Sequence, residues 1–173
     1  MPESGFFLDN HQIAPTVHLL DWDTDRTGIY VSLENHGKAV FILFKEVGTA
    51  GDDVNIDMQQ ATDVAGTSAK DLDTIATYWT KQAATNIDSV GTFTKNTQTA
   101  ASEISFNATS AEEILLAVWE VEADQLDVGG GFDCVSCNVT LDASGGAQRG
   151  VILVLLCNPR YPQADGGLTV RTD

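Results

Sequence analysis

Basic residues are scarce in this chain. Nine lysines and arginines stand against 25 aspartates and glutamates, a formal net charge of −16 at pH 7 and a pI near 4.2. A chain this acidic is repelled by phosphate backbones and by anionic membrane surfaces, so nucleic acid and membrane are not expected partners. The same charge favours solubility and suits a partner surface with basic patches, or a salty medium. Cysteine is also sparse. Cys134, Cys137 and Cys157 are an odd number, which is no disulfide framework for a chain of 173 residues. Long apolar runs are missing too, and none nears the ~20 residues that span a bilayer. The start, Met1-Pro-Glu-Ser-Gly-Phe-Phe-Leu8, lacks the basic opening and long apolar core of a signal peptide. The expectation is a soluble protein made in the cytoplasm.

Catalytic signatures are equally thin. There is no Gly-x-Ser-x-Gly and no phosphate-cradling glycine loop. Gly129-Gly-Gly131 lies between strand-like segments and reads as a turn. With 25 acidic residues, carboxylate pairs for glycosidase work always exist, and none stands out. No catalytic, cofactor-binding or metal-binding residue is assigned, and no enzyme activity or cofactor is expected.

Three groups offer chemistry. Cys134-Val-Ser-Cys137 has the spacing of a redox or zinc pair. It lies inside a strand pattern, though, where residues three apart point to opposite faces, and the histidines His11, His18 and His36 are far upstream. Buried free thiols are the plainer reading. Asp21, Asp23 and Asp25 mimic the opening of a calcium loop, but its sixth and twelfth positions hold Arg26 and Ser32 instead of Gly and Glu. A looser calcium site using Asp52, Asp53 or these residues stays open beside a solvated acidic turn. Trp79 and Trp119, with Tyr78, offer a stacked-aromatic sugar platform, although Trp119 sits among apolar neighbours as a core residue does. The sequons at Asn107 and Asn138 read as chance matches without a secretory signal.

What the chain has is β pattern. With 43% apolar residues and a mean hydropathy near zero, it can fill one core. Thr16–Leu20, Gly28–Leu33, Lys38–Phe44, Val54–Gln60 and Glu103–Asn107 read as strands, with Lys38–Phe44 apolar on both faces and therefore central. Asp73–Thr80 is ambiguous between a strand and a helical turn, and Val90–Thr94 is a possible edge strand in a threonine-rich stretch. Ile114–Val121, Phe132–Leu141 and Gly150–Leu156, separated by glycine turns, read as an antiparallel meander. The fold expected is all-β, an antiparallel β-sandwich or jelly-roll-like barrel of about eight strands. Its domain covers residues 16–162, with an extended N-terminal arm at 1–15 and a C-terminal tail at 163–173. Alternation nominates Val40, Ile42, Phe44, Ile56, Leu116, Val118, Val135, Val139, Ile152 and Val154 as core. A slip of one residue would invert any of these assignments.

Three segments taken in order carry a resemblance. They are the Gly48-Thr-Ala-Gly-Asp-Asp-Val54 turn leading to Met58–Gly66, the acidic turn of Gln125–Asp133, and a last strand closing on Asn158-Pro-Arg-Tyr161. In that order, over roughly residues 38–161, the chain resembles small head-associated structural proteins of tailed bacteriophages. The resemblance implies a virion protein, above all a capsid decoration (cement) protein on the outer surface of the head. Its partners would be the major capsid protein and other copies of itself, with trimers at local threefold axes the natural symmetry. No catalytic residue comes with it. The cysteines and the threonine-rich stretch 86–101 depart from the pattern. Alternatives are a tail, neck or baseplate component, or a carbohydrate-binding β-sandwich module.

Overall fold

The computed structural model describes residues 7–48, 53–83, 87, 91–106, 113–141 and 148–160. They form an all-β sandwich of two antiparallel sheets. The described strands number eleven, not eight. They are β1 (Gln12–Asp21), β2 (Val31–Ser32), β3 (His36–Lys45), β4 (Val54–Ala61), β5 (Lys70–Asp71) and β6 (Ile75–Ala83). Then come β7 (Thr94–Ala101), β8 (Glu103–Phe106), β9 (Ile114–Glu122), β10 (Cys134–Leu141) and β11 (Arg149–Pro159). The surplus includes β5, two residues in a stretch without alternation, while β2 is what forms of the expected 28–33 strand and β7 lies C-terminal to the expected 90–94. No described helix is long and apolar enough to cross a membrane.

The six-stranded sheet runs β1-β11-β3-β9-β6-β7, and the second sheet runs β2-β10-β4, with β5 and β8 side by side along the free edge of β4. The last three long strands are therefore not a meander. β9 lies between β3 and β6, β10 is in the other sheet, and β11 is inserted between β1 and β3. The glycine-rich link of residues 123–133 carries the chain from one sheet to the other, through two short 3-10 turns at Ala123–Gln125 and Val128–Gly130. Of the expected N-terminal arm, residues 7–15 are described, and they are not extended free of the sheet. Phe7–Asn10 forms one helical turn, and β1 starts at Gln12, paired with Leu156. The expected tail at 163–173 lies outside the described residues.

Between the sheets the core is continuous. Phe41 on β3 and Trp119 on β9 stack at 5.6 Å with planes 6° apart, and Trp119 Nε1 points at Met58 Sδ of the facing sheet at 3.2 Å. Ile56, Val135, Val139, Ile152 and Val154 are buried there as expected. Val40, Ile42, Phe44, Leu116 and Val118 are not. Their neighbours Ala39, Phe41, Leu43, Leu115, Ala117, Trp119 and Val121 face the core instead. Both faces of β3 and β9 are apolar, so alternation could not choose between them. The large rings of Phe41 and Trp119 fill the space between the sheets and set the register.

Candidate interaction surface

The reversed register leaves the outer face of the six-stranded sheet apolar. Residues paired across an antiparallel ladder share a face, which lets the rows be followed across the strands. One row runs Ile13, Leu155, Val40 and Glu120. The next runs Pro15, Leu153, Ile42, Val118 and Trp79, ending on Lys95. A third runs Val151, Phe44, Leu116 and Lys81. These side chains are half-buried or exposed, with Ile13 at 50% and Phe44 at 40%. Trp79, Phe93, Val118 and Glu120 line an open hollow of about 420 Å³ at one side.

The outer face of the second sheet is of the opposite kind. Along β4 it presents Asn55, Asp57 and Gln59, and β8 adds Glu103 and Ser105. An antiparallel sheet with one face in water ordinarily looks like this. An aliphatic outer face of several rows is the exception, and such patches mark contact with another molecule.

Four of the nine basic residues, Lys38, Lys81, Lys95 and Arg149, lie on this face. Lys38 Nζ bridges Glu120 and Glu122 at 2.8 Å each, across β3 and β9. Those two carboxylates raise the Lys38 pKa above its ordinary value and hold its charge. Lys81 and Lys95 lie on the rows at the β6 and β7 side, with Lys95 Nζ 5.9 Å from the Trp79 ring centre. Arg149 pairs with Asp21 at the far end of β11. The strand residues of this face thus carry four basic and three acidic groups, close to neutral on a chain of net charge −16.

The groups weighed from the sequence fall elsewhere. Cys134 and Cys137 diverge as expected from their spacing. Cys137 joins the main core, while Cys134 joins a small cluster with Ala61 and Val64, against Tyr30. Burial, and then the neighbouring Asp133 carboxylate, push the Cys134 thiol up to about 12. Burial raises Cys137 well above its ordinary value. Cys157 is half-buried on the outer face, in register with Lys38.

Asp21, Asp23 and Asp25 do not converge on one point. Arg26 Nη2 donates to the Asp23 carboxylate at 2.6 Å and to the Asp21 carbonyl at 2.9 Å, while Asp25 Oδ1 accepts from Leu141 N at 3.0 Å. Asp52 lies outside the described residues. Among the described residues no group of three or more His, Cys, Asp or Glu side chains is placed to hold a metal ion.

The aromatic platform also comes apart. Trp119 is fully buried, and Tyr78 packs edge-on against Phe106 at 6.0 Å on the core side. Trp79 remains on the outer face with Phe93 beside it. Asn138 is engaged, its Oδ1 accepting from Gly28 N at 3.0 Å, and Asn107 lies outside the described residues.

Two of the segments behind the phage resemblance meet in space. Gln60 Oε1 accepts from Asp127 N at 2.8 Å, and Asp133 N donates to the Ala61 carbonyl at 3.3 Å. Lys70 holds this junction, with Nζ 2.6 Å from Asp127 Oδ2 and 4.0 Å from the Phe132 ring centre. These contacts fasten the 123–133 link to the second sheet.

The apolar outer face was missed in the sequence, although its signal was there. Lys38, Glu120 and Glu122 share parity with Val40, Ile42, Leu116 and Val118, which puts that whole set towards solvent.

No family model matches the chain, and no curated protein matches it. Among solved structures, a chain of the crystal structure of the T13 IBDV viral particle aligns with all of this chain and 48% of its own length, at 13% identity and a TM-score of 0.20. This chain therefore spans about half the length of that protein, and a TM-score of that size defines no shared fold.

Proposed function

We propose that this is a structural protein that works by assembly, and that it decorates the capsid of a tailed bacteriophage, binding the outer shell and stabilising the head. The observation that carries the reading is the apolar outer face of the six-stranded sheet, whose described side chains are half-buried or exposed on an otherwise strongly acidic molecule. A chain built this way is soluble at high concentration, is repelled by packaged nucleic acid, and completes its burial only against protein. The resemblance of residues 38–161 to head-associated phage proteins supplies the setting. The partners are the major capsid protein and further copies of this chain, and no catalysis or cofactor is involved. The acidic second sheet suits basic patches on the shell. Burial at many junctions, each of standard size near ~1,600 Å² in total, would add up to resistance against internal pressure.

The test is quantitative mass spectrometry of purified particles from the source, scaled to the main shell protein. Near-stoichiometric abundance is expected. A few copies per particle would move the protein to the neck, tail or baseplate. Absence from particles would overturn the virion reading.

A further inference from the structure

We propose that the outer face of the six-stranded sheet is closed by a second copy of this chain, stacked face to face about a twofold axis. The inference rests on the reading that the chain works by assembly with protein, and it names the partner of this one surface.

Charge selects the occupant. A basic partner would be drawn to the acidic remainder of the molecule, not to the one face where charge nearly cancels. Two copies meeting through their second sheets would bring Asp57 and Glu103 of each together. On the apolar face they meet with four basic and three acidic strand residues each, and an isologous contact needs both signs on one patch. Glu120 and Lys81 lie one row to either side of the row through Val118 and Trp79. A twofold axis along that row carries Glu120 of one copy towards the Lys81 side of the other.

Area is sufficient. The three rows hold thirteen positions on β1, β11, β3, β9 and β6, and Cys157, Lys38 and Glu122 form a further row beside them; at ~4.8 by ~6.8 Å each, these positions cover about 500 Å² per copy. The pair then buries about 1,000 Å², the lower bound for a specific interface, and sheets stack at ~10 Å as they do inside a sandwich. Face-to-face stacking closes at two copies, so this contact makes a pair and not the trimer that the phage resemblance suggests. It leaves both polar second sheets pointing outwards, available to the shell.

The test is the mass of the full chain in solution, by light scattering and sedimentation over a range of concentrations. The wild type is expected as a dimer. Ile42→Asp, at the middle of the face, enters the interface twice by symmetry and is expected to weaken the dimer by about 10³-fold while the circular dichroism stays unchanged. Val118→Lys is the second variant, and Asn55→Lys on the other sheet should leave the dimer intact. Alkylation of Cys157 should slow as wild-type concentration rises and should not do so in Ile42→Asp. A wild type that is monomeric throughout, or an oligomer indifferent to both face variants, overturns the proposal. A monomer that still binds shells overturns it while sparing the decoration reading. A face-dependent dimer that is absent from particles supports it and removes the decoration reading.

Discussion

Gly28 and Gly150 are fixed by what lies against them. A Cβ on Gly28 would sit 2.1 Å from the carbonyl oxygen of Cys137, a backbone atom in the middle of β10 that cannot swing away. A Cβ on Gly150 would sit 2.3 Å from the ring of Trp22, which is fully buried. Gly28→Ala is expected to cost about 2–3 kcal/mol in urea denaturation, because overpacking against backbone must be relieved by moving a strand. Gly129→Ala, whose Cβ meets only Asp127 Oδ1 at 3.9 Å, should stay within about 0.5 kcal/mol. The thiols set a second expectation. Cys134 titrates near 12 in the fold against 9.0 ordinarily, and Cys137 also lies well above 9.0. Above pH 9 the unfolded chain releases these protons and the folded chain keeps them. The part of stability these thiols contribute is therefore full below pH 9 and is lost between pH 9 and 12. Denaturation midpoints should drop from about pH 8 to about pH 10.5, and less steeply in Cys134→Ala. That these thiols diverge was legible from their spacing alone. The engagement of Asn138 by Gly28 N was not, because the partners are far apart in the chain.

At the scale of the element, the strands show which sequence signals suffice. Val54–Ala61 and Glu103–Phe106 alternate cleanly between apolar and polar, and both lie where that pattern puts them. β3 and β9 were recognisable as strands, and β3 is central as expected. Their inner face was not recognisable from apolar content, since both faces are apolar. It was written in the parity of Trp119 and in the charges of Lys38, Glu120 and Glu122. β6 was ambiguous because Ile75, Tyr78 and Trp79 suit a strand while the preceding residues suit a turn. It resolves as a strand because β9 on one side and β7 on the other satisfy its backbone. β7 lies C-terminal to the expected 90–94 because its threonine-rich sequence has no apolar face to mark its bounds. As an exposed edge strand with polar side chains, it should be the least protected of the long strands of its sheet. Residue-level hydrogen exchange should find the amides of β3 and β9 slowest and those of β7 fastest. Equal protection of β7 and β9 would contradict the strand order described above.

For the whole molecule, the two sheets divide the labour. One outer face is polar and acidic, the other apolar and nearly neutral, and a net charge summed over the chain hides this division. Composition makes nucleic acid an unexpected partner, and the register of β3 and β9 turns their second apolar set outwards, to the face proposed for protein contact. The strand order was likewise hidden. Local alternation identifies a strand without naming its neighbours, and consecutive strands β9, β10 and β11 looked like a meander although the chain changes sheet twice along them. The place of β11 has a further consequence, for the order in which the protein is made. β1 and β3 emerge early from the ribosome, yet the strand that joins them is the last of the eleven. Until residues 149–159 have been synthesised, β1 lacks its neighbour and one edge of β3 stays open. The nascent chain must carry an unfinished sheet for most of translation, and its folding waits on the final described strand.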